Sequence, residues 1–254
     1  MSSNIWTQCG ARSSLRPLRL EPFRVVEAQH VISTRKLVDS DDEQELLESL
    51  IDAAKRPVPP GPRFAGLHYL LSTPFRYPPL KWGSRFGRKH ERSLWYGSRK
   101  AETALAETAY YRLLFLEGSA ADLGPLSTRH SVFQAKISTR YGVDLTRAPF
   151  DAFADRLASA TSYADTQPLG SAMREDGVEA FLFTSARDPK RGDNLALLEP
   201  CFSQPRPSVP VTWLCTATRD VVELKKDDVF ESDRLKYPRD TFLVDGKLPV
   251  VASG

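Results

Sequence analysis

From Ala180 onward the chain reads as four short β-like runs, Ala180–Thr184, Leu195–Leu198, Val209–Leu214 and Val221–Leu224, separated by turn residues. No helical pattern lies between them. A doubly wound parallel sheet needs a crossover helix at nearly every step, so this succession excludes it. Phe23–Val26, Ser93–Tyr96, Val132–Ile137 and Tyr141–Leu145 also read as extended, and the spacing predicts helices over Lys100–Leu116 and Asp151–Tyr163. The expected class is therefore α+β, a mixed sheet with flanking helices. No Gly-x-Gly-x-x-Gly follows a strand and no Walker A loop is present, which disfavours a Rossmann site and a P-loop.

The first twenty residues contain no apolar stretch of signal-peptide length and read as a poorly ordered lead-in. Ser40-x-x-Glu43 is a capping box ahead of Leu46, Leu47, Leu50, Ile51 and Ala54 at helical spacing. The run PVPPGP at Pro57–Pro62 must then stop that helix, because proline fixes the backbone and lacks the donor. Apolar runs such as Ala180–Phe183 are far too short to span a bilayer. Three cysteines (Cys9, Cys201, Cys215) cannot all pair and form no Cys-x-x-Cys, which fits a reducing, cytoplasmic setting. The four histidines are dispersed without metal-ligand spacing, so no metal is expected.

Charge is uneven. Arg76, Lys81, Arg85, Arg88, Lys89, Arg92, Arg99 and Lys100 face only Glu91, so residues 76–100 carry +7 where the whole chain carries +3. A local basic segment on an otherwise slightly acidic chain points to one anionic ligand more than to coating of DNA. Interleaved Phe75, Tyr77, Trp82, Phe86, Trp95 and Tyr96 leave open a second reading, a non-catalytic module holding RNA or another polyanion by stacking and phosphate contacts. Within this frame four residues draw attention: Arg24 in PFRVV, Arg85 in GSRFG, Glu107 in ETALAE and Ser185 in LFTSARDP. Each has an ordinary structural reading: an edge charge, a solvated face, a turn. Ser185 lacks the Gly-x-Ser-x-Gly elbow of a hydrolase nucleophile. Glu107 lies at the edge of the apolar helix stripe, about 60° round from Ala104, where a carboxylate can face inward.

The arrangement GSRF…WYGS…ETALAE, followed far downstream by FTSARDP…NLALLEP, resembles the RES domain, a family named for an arginine, a glutamate and a serine. The resemblance runs from about Phe23 to Val222, and GSRF stands where many members have Gly-Gly-Arg-Trp. It implies an ADP-ribosyltransferase-like mixed β core in one RES-type domain over residues 21–254, with residues 40–62 as an insertion. It implies the toxin of a toxin–antitoxin pair that consumes NAD⁺ as substrate, with an Xre-type antitoxin as protein partner and nucleic acid reached only through that antitoxin. The family's three residues carry over to Arg24, Glu107 and Ser185 as catalytic candidates. Arg24, Arg85, Tyr96 and Ser185 become the NAD⁺-binding candidates. Arg76 in PFRYPP is the alternative arginine; Arg24 is preferred because it opens the first strand.

The chemistry fits those residue types. Arginine forks bind the two phosphates of NAD⁺ bidentately. Loss of the cationic nicotinamide creates an oxocarbenium-like ribose, which a carboxylate such as Glu107 stabilises more than the ground state. Tyr96 can clamp the nicotinamide ring, and Ser185 can bond a phosphate, ribose or carboxamide. The expected outcome is mono-ADP-ribosylation of a cellular protein. Glycohydrolase or phosphorylase action, with water or phosphate as acceptor, is the alternative within the same class.

Overall fold

A computed structural model describes residues 4–27, 55–77, 81–121, 123–228 and 233–250, together with 40, 42, 43, 46, 47 and 50. Ten strands form one sheet in the order β1-β5-β6-β7-β3-β2-β4-β8-β9-β10. They are β1 Arg16–Leu20, β2 Phe23–Glu27, β3 Trp95–Ser98, β4 Leu126–Gln134, β5 Ile137–Asp144, β6 Ala180–Thr184, β7 Asp193–Leu197, β8 Val211–Ala217, β9 Val221–Lys226 and β10 Arg234–Pro238. The labelled helices are α1 Ile5–Gln8, α2 Tyr69–Ser72, α3 Ala101–Gly118, α4 Ala154–Leu157 and α5 Thr166–Glu175. Every pairing is antiparallel except β5 with β6. The connection of that one parallel step carries α4 and α5, as a crossover requires. The protein is α+β.

Strand alternation sorts the core onto two faces. Phe23 and Val25 of β2 pack with Val132, Trp213, Cys215, Val222 and Leu224 beneath Leu105, Ala109, Leu113 and Leu116 of α3. On the same face, Phe181, Phe183, Ala196 and Leu198 meet Trp6, Phe86, Leu169 and Met173, with Tyr96 against them. The opposite face holds Trp95, Phe133, Leu182, Leu195 and Leu197 under Leu71 and Phe75.

Three sequence expectations change. Residues 4–20 are not a loose lead-in. Asn4 caps α1 through the Thr7 amide at 3.0 Å, Ile5 and Trp6 are buried, and the Trp6 indole donates to Asp176 at 2.6 Å. Burying those two side chains contributes about 2–3 kcal/mol each. β1 then pairs with β5, so Phe23 opens the second strand and not the first. The predicted helix Asp151–Tyr163 shrinks to a 3₁₀ turn and α4, because the Ser159 hydroxyl accepts from the Thr161 and Ser162 amides and draws the backbone out of the helix. The regular helix is α5, unread because it contains Pro168 and Gly170. Pro168 sits in the first turn, where its missing donor costs little. A Cβ on Gly170 would lie 1.9 Å from the Phe86 carbonyl oxygen, so the glycine lets α5 close on the 84–86 loop. Ser40 does cap, accepting from the Glu43 amide at 3.2 Å, and residues 42, 43, 46, 47 and 50 are helical. Ile51 and Ala54 of that expected helix lie outside the described residues.

Candidate active site

Helix α3 is rich in Ala, Leu and Glu, strong helix formers, and its alanines let it lie close to the sheet. It presents Glu107, half-buried, toward the ends of β6 and β7. Glu107 Oε1 accepts two hydrogen bonds of 2.7 Å, one from the Ser185 hydroxyl and one from Asn194 Nδ2. Asn194 is itself fixed by the Ser98 hydroxyl, which donates to its Oδ1 at 2.6 Å. Ser185 and Asn194 are 1% and 5% exposed, so both bonds are shielded from water. Oε2 has no hydrogen-bond partner among the described residues and is the oxygen left for a ligand.

The turn after β6 is built to hold Ser185. Its hydroxyl oxygen accepts from the Arg187 and Asp188 amides at 3.1 and 2.9 Å while its proton goes to Glu107. With donor and acceptors engaged, Ser185 orients the carboxylate and is no nucleophile. Asp188 anchors the turn to α3 through the Thr103 hydroxyl at 2.7 Å. A Cβ on Gly192 would stand 2.2 Å from that hydroxyl, which is why a glycine closes the turn.

On the same face of the sheet as Glu107, Arg85 and Tyr96 pack beside residues 157–163 and the 84–86 loop. Arg85, 9% exposed, donates to the carbonyls of Leu157 and Ser159 at 3.3 and 2.7 Å and stacks over the Tyr163 ring at 5.1 Å. It therefore ties down residues 157–163 in addition to adding positive charge. The Tyr96 hydroxyl lies 2.9 Å from Ser84 Oγ and accepts from the Phe86 amide at 3.4 Å. Burial pushes its pKa up to about 12, so the phenol stays neutral. Arg187, unread from the sequence, stacks on the Tyr110 ring at 3.8 Å and donates to the Ala160 carbonyl at 2.9 Å. Burial raises the Tyr110 phenol, whose other electrostatic neighbours are Arg187, Tyr163, Glu107 and Arg85. Those four side chains thus share one neighbourhood. Beside it, a cavity of about 300 Å³ runs along α3, lined by Val25, Glu27, Thr108, Tyr111, Arg112, Phe115 and His130.

The structure brings Glu107, Ser185, Arg85 and Tyr96 to one face and does not bring Arg24 there. Arg24 alternates with Phe23 and Val25, which point toward α3, so its side chain leaves through the other face. It stacks over Trp95 at 5.2 Å and donates to the Tyr96 carbonyl. Burial lowers its pKa to about 10. Ser98 and Asn194 fall within WYGS and NLALLEP, yet only their strand register, which sets them opposite each other, gives them a role. Of the +7 segment, Arg85 is buried against carbonyls and Arg92 is half-buried beside Glu199, while Lys81, Arg88, Lys89, Arg99 and Lys100 are exposed, Arg99 pairing with Asp193 at 3.1 Å. Among the described residues no group of three or more His, Cys, Asp or Glu is placed to hold a metal, and no helix is long and apolar enough to cross a membrane.

Fold and site together define an α+β protein built around one carboxylate held by an asparagine and a serine. The RES domain family matches residues 61–215, and the chain belongs to that family. The matched span contains Arg76, Arg85, Tyr96, Glu107, Ser185 and Asn194 but not Arg24. RES domains are associated with NAD⁺-related toxin–antitoxin systems. A search of curated proteins finds no match.

Proposed function

We propose that this chain is a toxin that breaks the nicotinamide–ribose bond of NAD⁺ and transfers ADP-ribose to a protein. One observation carries the reading: Glu107 has one oxygen fixed by two buried donors and the other open. The C1′–N bond breaks heterolytically, its electron pair leaving with nicotinamide, which becomes neutral. Positive charge develops on the ribose, and Glu107 Oε2 stabilises it while also accepting from a ribose hydroxyl. A nucleophile then adds at C1′ and releases its proton. Tyr96 would flank the nicotinamide, and Arg85 and Arg187 supply positive potential for the phosphates without giving up their carbonyl bonds. Arg24, outside the matched span and on the opposite face, has no part in this reading, and Arg85 is the arginine it uses on the Glu107 face. Water or phosphate as acceptor is the alternative outcome of the same bond cleavage.

The test is nicotinamide release from NAD⁺ by the purified chain, beside Glu107→Gln, followed by mass spectrometry of lysate proteins. Release by the wild type that the variant loses, with ADP-ribose adducts on protein, supports the proposal. Release without adducts reassigns the acceptor to water or phosphate. Silence with both NAD⁺ and lysate refutes it. The family resemblance adds an Xre-type antitoxin as partner; co-expression that fails to suppress nicotinamide release would refute that part.

A further inference from the structure

A cavity of about 580 Å³ lies at the β1–β2 turn and has no part in the site above. Its charged lining is Arg19, Arg99, Lys136 and Glu21, with Ser138 and Ser203 adding hydroxyls. Three cations thus face one carboxylate. Arg99 has its counter-ion in Asp193, and Lys136 reaches Glu21 only at 4.0 Å. Arg19, exposed on β1, makes no ion pair among the described residues. The Ser138 and Ser203 hydroxyls likewise make no protein hydrogen bond among the described residues, although their amides are bonded to the Cys201 and Lys136 carbonyls. Like charges gathered round a concavity repel one another, and an anion held there relieves that repulsion while taking donors from the guanidinium, ammonium and hydroxyl groups.

We propose that this cavity binds a small phosphate-bearing ligand of nucleotide size. Its volume falls within the range of about 300–1,000 Å³ usual for such ligands. Arg19 and Lys136 offer charge-assisted bonds to phosphate oxygens, and the two serines complete the donor set. None of the residues lining the cavity is among those assembled around Glu107, so it is a second site, and the proposal does not rest on the reading of Glu107.

Inorganic tripolyphosphate is the probe, titrated calorimetrically into the full chain at low and moderate salt. The expected result is saturable one-to-one binding that weakens with salt, falls about tenfold or more in Arg19→Ala/Lys136→Ala, and is unchanged in Glu107→Gln. Each variant's melting temperature is measured alongside, and Arg19→Lys/Lys136→Arg, which keeps the charge, should restore binding. Absence of saturable binding, or equal binding by the charge-deleted variant, overturns the proposal. Binding lost in Glu107→Gln also overturns it, by moving the probe to the α3 face. Tighter capture of a short DNA single strand than of tripolyphosphate or ATP would overturn the small-ligand assignment in favour of nucleic acid.

Discussion

Replacing Glu107 by glutamine removes one negative charge and almost nothing else. The amide oxygen can still accept from Ser185 and Asn194, which now hold Oε1 at 2.7 Å each, so the helix and the turn keep their anchors. What disappears is the charge on Oε2. A unit charge about 4 Å from a carboxylate oxygen gains about 4 kcal/mol at an effective dielectric of about 20. The ribose carries only part of a charge in the transition state, and Glu107 is half-buried, so about 2–3 kcal/mol is the better figure. That corresponds to a loss of about 100-fold in nicotinamide release with little change in the KM for NAD⁺. Chromatographic quantification of nicotinamide measures it, and urea denaturation confirms the fold. Ser185→Ala and Asn194→Ala should each lose about tenfold, and the pair should lose less than the product, because both act through the same oxygen. Release by Glu107→Gln within about threefold of the wild type would refute the electrostatic role.

Three further outcomes follow from geometry. Arg85→Lys withdraws the one guanidinium nitrogen, Nη1, that donates to both the Leu157 and Ser159 carbonyls, removes the planar group stacked on Tyr163, and should lower stability by about 2–4 kcal/mol, read by urea denaturation. A raised KM without loss of stability would instead make Arg85 a phosphate ligand alone. Arg24→Met, on the far face, should change nicotinamide release less than about twofold; a large loss at unchanged melting temperature would refute its placement outside the site. His130 is 2% exposed, and burial, reinforced by Arg112, lowers its pKa to about 4. The unfolded chain therefore binds a proton that the native state refuses. Stability is fully present above about pH 6.5 and falls as pH drops toward 4. With allowance for screening, the wild type should lose about 2 kcal/mol from this group between pH 7 and 4.5. His130→Asn should lack that component, and equal slopes in both chains would refute it.

Much of the framework is legible because its signals are local. The helix expected over residues 100–116, the β-branched run of β9 and, among the described residues, the absence of α-helices after Ala180 all survive as read. Taken alone, Glu107 at the stripe edge and Ser185 at a strand end each have an ordinary reading; the family resemblance singles them out, and a hydrogen bond joins the two in the structure. Asn194 is not singled out, since DNLALL has no feature that separates a polar residue facing a helix from one facing solvent. Arg24 shows a parity problem. Both faces of β2 are partly buried, so alternation alone does not say which parity meets α3; Phe23 and Val25 meet it, and Arg24 is thereby excluded. The helix predicted at Asp151–Tyr163 failed because serine hydroxyls compete locally for backbone amides, an effect that hydrophobic spacing does not register.

The position of the site in the sheet leads to a last prediction. Strands β1-β5-β6-β7-β3 and β2-β4-β8-β9-β10 are joined through one registered residue pair, Phe23 with Ser98. Ser98 is the residue that orients Asn194 toward Glu107. Gly97, its neighbour, lies under the Trp95 ring: an added Cβ would stand 2.7 Å from that ring and 2.9 Å from the Phe23 carbonyl oxygen. Gly97→Ala must therefore push β2 away from β3 at the seam, at a cost of about 1–3 kcal/mol. Because the displaced strand carries Ser98, the Asn194–Glu107 bond should loosen too, and nicotinamide release per folded molecule should fall about tenfold. Gly142→Ala is the control. It overpacks β5 against Leu18 of β1, where an added Cβ would stand 2.4 Å from the Leu18 side chain on the opposite face of the sheet, and should lower stability while leaving release per folded molecule near the wild-type value. If both variants lose stability and activity in the same proportion, the seam has no special hold on the carboxylate. If only Gly97→Ala loses activity beyond its loss of stability, the orientation of Glu107 depends on how the two halves of the sheet meet.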